Sequence, residues 1–208
     1  MHGSASFKRS IPASKRQLIL HHARDHFVRE GYTATRMEPI ARQAGVSTAT
    51  LYALFSSKSA LFTAVIDDAA EDFARQMVSV RSTNGDARSA LTSFALTYAT
   101  FMGDPFVRSI FRLVMTERPR FQAVAGRFFE KGRVEFGTSL IALIVQLSKS
   151  GALRPIRHPS WAAGHLMGMI EHPVFVVPLV TGEEVRPRRT IAQIAEDAVE
   201  TFLARYGP

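Results

Sequence analysis

The sequence predicts an all-α protein of about nine helices, with an N-terminal three-helix domain and a larger C-terminal helical domain. Apolar residues recur at spacings of three and four over long windows, as they do on one face of an α-helix. The one cluster of β-branched residues, Val174–Val180, is interrupted by Pro178 and preceded by Pro173, which argues against a central strand. Glycine, proline and Asn-Gly or Gly-Asp pairs separate the helical windows.

Composition narrows the class of protein. The chain has 208 residues, 46% of them apolar, which is enough to bury a sizeable core. It has no cysteine, which excludes disulfides, thiolate metal sites and a cysteine nucleophile and makes the cytoplasm the simplest location. The longest apolar run, Trp161–Val180, contains charged residues and prolines, so we expect a buried helix followed by a loop, and no membrane partner.

Positive charge is concentrated near the N-terminus. Residues 1–60 hold nine Lys and Arg against three Asp and Glu, which accounts for +6 of the net charge of +8. This asymmetry predicts a module that binds a polyanion, with nucleic acid first and an anionic membrane surface second. A solvated basic face without a partner has the same composition. Residues 1–13 are expected to form a basic flexible arm with Lys8 and Arg9, to which the adjoining Lys15 and Arg16 are also assigned.

Helix one is predicted over about residues 14–30, where Ile19, Ala23 and Phe27 share one face and Gly31 is placed to adopt a positive φ. Helix two is predicted over about residues 36–44, with Thr35 and Glu38 in the spacing of a capping box.

Helix three is predicted over about residues 48–55 and is entered through a glycine turn at Gly45, with Ser47 as its cap. Its eight residues are marginal as an isolated helix, so Leu51 and Phe55 are expected to pack inward. A short helix, a glycine turn and a second short helix with small polar residues at its start are typical of a helix-turn-helix, although two helices of a non-binding bundle give the same pattern.

Residues 19–65 resemble the DNA-binding domain of the tetracycline-repressor (TetR)/AcrR family of transcriptional regulators. The positions that carry the resemblance are Ile19, Ala23, Phe27, Gly31-Tyr32, Thr35, Ile40-Ala41, Ala44–Ser47, Leu51-Tyr52, Phe55, Ser57-Lys58 and Leu61. Residues 115–121 and 128–132 more loosely resemble a C-terminal type found in that family. The resemblance implies a DNA-binding domain at 14–58 and an effector-binding and dimerisation domain at 59–208.

The resemblance also implies which side chains meet an operator. Thr35, Arg36 and Lys58 are expected on backbone phosphate, with Lys58 also stabilised by a nearby helix N-terminus, and the Tyr52 hydroxyl is expected to reach phosphate. The groove-facing residues are expected to be Ser47, Thr48, Ala49, Thr50 and Ala53. Because two of these are alanines, base readout is expected to be thin and supported by DNA shape and by the basic arm.

The second half is expected to hold a small, largely apolar effector and the dimer interface. The candidate pocket consists of aromatic, methionine and polar residues: Phe94, Thr97, Tyr98, Phe101, Phe111, Met115, Phe128 and His165. The candidate interface combines two glycines four residues apart with an apolar stripe on the last helix: Gly164, Gly168, Ile194, Ala198 and Phe202. The implied activity is that of a homodimeric repressor released from double-stranded operator DNA by its effector.

Patterns of catalytic and metal sites are missing from the sequence. It has no His-Glu-x-x-His spacing, nucleophile elbow, phosphate loop or dinucleotide fingerprint, so no metal, cofactor or catalytic residue is predicted. His26 lies on the packing face and is expected to be a satisfied, partly buried imidazole. The alternatives left open are a small helical enzyme or carrier, an architectural DNA binder without sequence preference, and a transcriptional activator.

Overall fold

The computed structural model describes residues 14–77, 86–182 and 188–208 and contains no strand in these ranges, which confirms the all-α prediction. The predicted arm, residues 1–13, lies outside the described residues. The α-helical segments are α1 (Lys15–Ala34), α2 (Met37–Gln43), α3 (Thr48–Leu54), α4 (Lys58–Met77), α5 (Ala87–Met102), α6 (Pro105–Glu117), α7 (Gln122–Gly132), α8 (Thr138–Lys149), α9 (Pro159–Glu171), α10 (Val177–Thr181) and α11 (Ile191–Tyr206).

Two π-helical turns, Arg133–Gly137 and His172–Val176, join α7 to α8 and α9 to α10. With each joined pair counted as one continuous helix, the described ranges hold nine helices, as predicted. The expectation of a loop near Pro173 is wrong, because the π turn accommodates the proline and the Val177 N–H bonds to the His172 carbonyl.

The continuous helix Pro159–Thr181 is the one helix in the described part of the chain that is long and apolar enough to cross a membrane by length and composition. The core helix of a soluble protein passes the same test, but here only 28% of the most apolar window is buried. Most of this helix therefore presents its surface outside the core of the protomer.

The chain forms two compact units. Of the described residues, the first unit comprises 14–69 and 109–126, and the second comprises 70–77, 86–108, 127–182 and 188–208. The predicted boundary at residue 58 stays a prediction, whereas the grouping of residues 109–126 with the N-terminal helices was not expected. The fully buried large side chains of the first unit are Ile19, Leu20, Phe27, Ile40, Leu51, Leu61, Phe62, Ile66 and Ile110.

The junction between α1 and α2 differs from the predicted capping box. Gly31 has a φ of 73° inside α1, as its positive-φ role requires. Thr35 is buried, and its hydroxyl donates to the Gly31 carbonyl at 2.7 Å. The Thr35 side chain therefore bonds across the kink at Gly31. The N-cap of α2 is Arg36, whose side chain makes no capping hydrogen bond. The Thr35 capping prediction is wrong for this reason.

The turn between α2 and α3 has the geometry that the sequence predicts. The Val46 N–H bonds to the Ala41 carbonyl and the Gly45 N–H to the Arg42 carbonyl, which is the Schellman pattern. Gly45 has a φ of 67°. The Ser47 hydroxyl oxygen then accepts from the Thr50 N–H at 3.1 Å and caps α3.

In the second unit, α5 packs against α11 and α9, and α9 packs against α8. The side chain of Arg108 is buried and donates to the carbonyl oxygens of Gly103 and Val174. Gly103 caps α5, and Val174 lies in the second π turn, so this guanidinium joins the two segments.

Candidate functional site

The outer face of α3 carries no charged residue and consists mostly of small side chains. Ser47, Ala49, Tyr52 and Ala53 are exposed, and Thr48 and Thr50 are half-buried. Leu54, beside them, is also exposed. The inner face carries the buried Leu51, with Phe55 buried just beyond it, as predicted.

The Ser47 hydroxyl oxygen lies 2.8 Å from the Thr50 hydroxyl oxygen. This pairing holds the two hydroxyls together at the start of α3. The face as a whole therefore offers one paired set of hydroxyls, the Thr48 hydroxyl, alanine methyls and a tyrosine to a partner, and few groups that distinguish bases.

Arg36 and Thr35, predicted together on phosphate, are placed differently by the structure. Arg36 is exposed at the start of α2, as a phosphate contact requires. Thr35 is only 2% exposed, and its hydroxyl is already bonded to Gly31. This corrects the prediction for Thr35. Its side chain stabilises the turn that precedes Arg36 and is not itself exposed for a phosphate contact.

Lys58 is half-buried at the start of α4. Its Nζ donates to the carbonyl oxygens of Thr33 at 3.0 Å and Thr35 at 2.9 Å and lies 4.7 Å from the centre of the Tyr32 ring. The expectation that it gains from a helix N-terminus is wrong, because an N-terminus carries partial positive charge and disfavours a cation. Lys58 is instead stabilised by carbonyl oxygens at the end of α1, and its contact with phosphate stays a prediction.

His26 is buried, and both ring nitrogens have partners, as the sequence suggests. Nδ1 lies 2.8 Å from Glu30 Oε1, and Nε2 lies 3.1 Å from Gln43 Oε1. Hydrogen bonds from Arg29 and then from His26 lower the pKa of the Glu30 carboxyl. His26 thus joins α1 to the end of α2. Among the described residues, no group of three or more His, Cys, Asp or Glu is arranged to hold a metal ion.

Two of the basic residues assigned to the arm belong instead to α1, which corrects that assignment. Lys15 and Arg16 are exposed in its first turn, and the Arg16 guanidinium lies 5.2 Å from the centre of the Phe55 ring. They are therefore held on the helix that supports α3. Lys8 and Arg9 lie outside the described residues.

The second unit contains a continuous row of six aromatic rings, here called the aromatic row. Neighbouring ring centres are 4.9 to 6.0 Å apart. In order, the rings belong to Phe94, Tyr98, Phe136, Phe101, Phe73 and Phe128. Four of them are in the predicted pocket. Phe73 and Phe136 are not in that set, and Phe136 reaches the row from the first π turn, whose position has no sequence signal.

Tyr98 supplies a buried polar group in the aromatic row. Its hydroxyl donates to Oε1 of Glu171, the last residue of α9. Burial, then the Glu171 carboxylate, raises the pKa of the Tyr98 phenol well above its ordinary value. The ring of Tyr98 also lies 5.0 Å from that of Phe136. Tyr98 therefore contacts Phe136 of the first π turn and Glu171, which directly precedes the second.

Four residues of the predicted pocket lie elsewhere or are otherwise engaged. Phe111 and Met115 belong to the first unit, and Met115 is 58% exposed. His165 is exposed, and its Nδ1 lies 2.7 Å from the Tyr206 hydroxyl. The Thr97 hydroxyl donates to the Ser93 carbonyl of its own helix. The predicted set is corrected accordingly, because helical periodicity cannot tell a surface position from one facing a cluster.

The predicted subunit interface is partly exposed. Gly164 and Gly168 lie on the open side of α9, where a Cβ added to either residue would meet no neighbouring atom within 4 Å, and Trp161 nearby is 68% exposed. Phe202, in contrast, is 1% exposed and belongs to the core of its own protomer, so its assignment to the interface is wrong.

An open groove of about 490 Å³ lies on the second unit. Its lining comes from α9, the second π turn, the segment before α11 and α11 itself: Met169, His172, Pro173, Arg188, Arg189, Ile194, Asp197, Ala198 and Thr201. Two of the predicted interface residues, Ile194 and Ala198, are therefore in this groove.

Two protein-family models match the chain. One, described as bacterial regulatory proteins of the tetR family, matches residues 19–65. The other, described as an AefR-like transcriptional repressor C-terminal domain, matches residues 89–208. No curated protein sequence matches the chain.

Solved structures resemble the chain over nearly its whole length. A TetR-family transcriptional regulator from Mesorhizobium loti is 26% identical, with a TM-score of 0.76, covering 93% of this chain and 97% of the other. The flavonoid-responsive regulator FrrA is 27% identical, with a TM-score of 0.67 and the same coverages. A TetR regulator from Agrobacterium tumefaciens is 24% identical, with a TM-score of 0.70, covering 93% and 94%.

The raised pKa of Tyr98 predicts an alkaline loss of stability. The unfolded chain loses the tyrosine proton near pH 10, while the folded chain retains it. The contribution of this group to the free energy of unfolding is therefore complete below pH 10 and decreases as the pH rises above 10. Tyr98→Phe should flatten the decline measured by urea unfolding between pH 9 and 11. Equal slopes for Tyr98→Phe and wild type would contradict this assignment.

Proposed function

The chain belongs to the tetR family of bacterial regulatory proteins and is a DNA-binding transcriptional regulator, and we propose that it is a cytoplasmic homodimeric repressor. The observation that carries the proposal is the exposed face of α3, held on a Schellman turn beside the exposed Arg36. Members of this family are regulators and not enzymes, so the aromatic row is interpreted as an effector site and not as a catalytic one.

In the proposed complex, α3 enters the major groove with Ser47, Thr48, Ala49, Thr50 and Ala53 toward the bases. Thr48 and Thr50 bring hydroxyl and methyl groups to base edges, and Tyr52 brings its hydroxyl to phosphate. Arg36 contacts phosphate beside them. The third proton of the Lys58 ammonium is available for the same purpose, because the bonds given above use two. Half-sites one helical turn apart place the two copies of α3 about 34 Å from each other.

Operator binding is tested by titrating the protein into DNA flanking its own gene, with scrambled duplex as competitor. Arg36→Gln should weaken binding to all sequences and reduce the slope of log K against log salt by about 1, because one phosphate contact is lost. Thr50→Ala should cost about 1–3 kcal/mol at a single base pair.

The control for loss of one positive charge is Arg157→Gln, because Arg157 is an exposed arginine of the second unit. Equal binding by wild type, Arg36→Gln and Thr50→Ala would contradict the proposed interface. Equal affinity of the wild type for operator and scrambled duplex would instead indicate an architectural binder.

The proposed dimer interface is the open side of α9 together with the groove between α9 and α11. Support comes from Gly164 and Gly168, which allow close approach of another backbone, from the exposed Trp161 and from the low burial of this apolar helix. In a two-fold interface the same patch meets itself, which suits the open side of α9, where Trp161, Gly164 and Gly168 carry no charge.

Gly168→Glu should convert the dimer to a monomer, because it places two carboxylates on the proposed apolar interface. Sedimentation velocity measures the change, and urea unfolding checks that each protomer still folds. Gly126→Glu, at an exposed glycine in α7 with equal space for a side chain, is the matched control and should remain dimeric. A dimeric Gly168→Glu protein would remove this surface from the proposal.

The proposed effector is a flat aromatic molecule that carries a hydroxyl group. The aromatic row supplies stacking partners, and the Glu171 carboxylate accepts a hydrogen bond from a phenol in the present structure, that of Tyr98. The similarity to a flavonoid-responsive regulator at 27% identity favours the same chemistry. In this proposal the effector replaces the Tyr98 hydroxyl on Glu171 and favours a conformation with lower operator affinity.

Flavone and 7-hydroxyflavone test this chemistry, because they share one ring system and differ in a single hydroxyl. 7-Hydroxyflavone should release operator at lower concentration, and Glu171→Gln should reduce its advantage by about tenfold, because a neutral amide oxygen accepts a hydrogen bond that is about 1–1.5 kcal/mol weaker than one to a carboxylate. Glu200→Gln, at an exposed carboxylate on α11, is the control. If neither compound changed operator affinity at saturation, the effector proposal would be wrong while operator binding stood.

A further inference from the structure

The corner between α6 and α7, residues 118–121, belongs to the same compact unit as α1, α2 and α3. Phe121 lies with its ring centre 4.8 Å from that of Tyr32 and 4.5 Å from that of Phe62. The Glu117 carbonyl accepts from the N–H groups of both Arg120 and Phe121, which fixes the corner locally. A segment from the middle of the chain therefore packs directly on the end of α1.

Tyr32 lies within cation–π distance of two cations. Lys58 Nζ is 4.7 Å and Arg120 Cζ is 4.9 Å from the centre of its ring. Both cations also meet Thr33, since Lys58 donates to its carbonyl and Arg120 Nη1 donates to its hydroxyl at 3.4 Å. Arg120 of the α6–α7 corner and Lys58 at the start of α4 thus contact the same two residues at the end of α1, Tyr32 and Thr33.

These contacts continue to the proposed DNA surface. Lys58 also bonds to the Thr35 carbonyl, and Arg36 follows directly as the N-cap of α2. Since an N-cap without a side-chain capping bond is weakly fixed by its own helix, its orientation depends on the backbone before it.

We propose that Arg120 is a positioning residue for operator binding, which acts through Tyr32 and Thr33 on the backbone of residues 33–35 and so aims Arg36 at phosphate. This inference rests on the proposed operator binding. It gives the α6–α7 corner, which lies in the family's C-terminal match, a role in DNA affinity without a DNA contact of its own.

The competing explanation is that Arg120 itself contacts phosphate, since its side chain is 52% exposed. The two explanations differ in their dependence on Arg36. A direct contact contributes the same factor whether or not Arg36 is present, because independent contacts add in free energy. A positioning residue contributes only while Arg36 is there to be positioned.

The experiment measures operator dissociation constants for Arg120→Gln in the wild-type and in the Arg36→Gln background. Arg120→Gln should weaken binding by about two- to fivefold in the wild type, the value of an exposed cation–π contact, and should have no effect in the Arg36→Gln background. Tyr32→Phe retains the ring and should bind like wild type. Arg118→Gln, at an exposed neighbour in the same corner, measures the general effect of losing one charge there.

Four outcomes overturn the inference: an equal loss in both backgrounds, no loss in the wild type, a loss in Arg118→Gln as large as that in Arg120→Gln, or weakened binding by Tyr32→Phe. Urea unfolding of each variant establishes that the folded protein is being compared. If the wild-type protein itself showed no preference for operator over scrambled duplex, the proposed function would fail together with the inference. Intact wild-type binding with an unaffected Arg120→Gln protein would overturn the inference alone.

Discussion

The shortness of α3 is the constraint on which the DNA-binding unit depends. A helix of seven residues is not stable alone, so its position is determined by packing. Leu51 and Phe55 are buried, and burial of each such side chain contributes about 1.5–3 kcal/mol. The Ser47 cap and the Gly45 turn then fix where the helix begins. The outer face can therefore be small and weakly polar without losing its orientation.

Several polar groups next to this face are engaged within the unit. Thr35 bonds to a carbonyl, Lys58 bridges two carbonyls, and His26 joins α1 to α2. An unpartnered buried polar group is costly, so these bonds leave few alternative arrangements for the backbone between α1 and α2. Arg36, which is exposed, directly follows this stretch of backbone.

The second unit is organised differently, around aromatic contacts and two π-helical turns. Tyr98 contacts Phe136 of the first π turn and bonds to Glu171, which precedes the second. Single π turns inside α-helices often occur at functional sites. A ligand that takes the place of Tyr98 on Glu171 would therefore change contacts beside both π turns.

Sequence by itself determined the helix class, the turn at Gly45, the Ser47 cap of α3 and the inward-facing Leu51 and Phe55, because these follow from local periodicity and backbone stereochemistry. It also determined the family, since many residues in fixed register carry that resemblance. Tertiary structure alone decided that Thr35 is buried, that Phe202 is core while Gly164 is exposed, and that Phe121 packs on Tyr32. These facts depend on contacts between segments far apart in the chain, and helical periodicity specifies a face without specifying what lies against it.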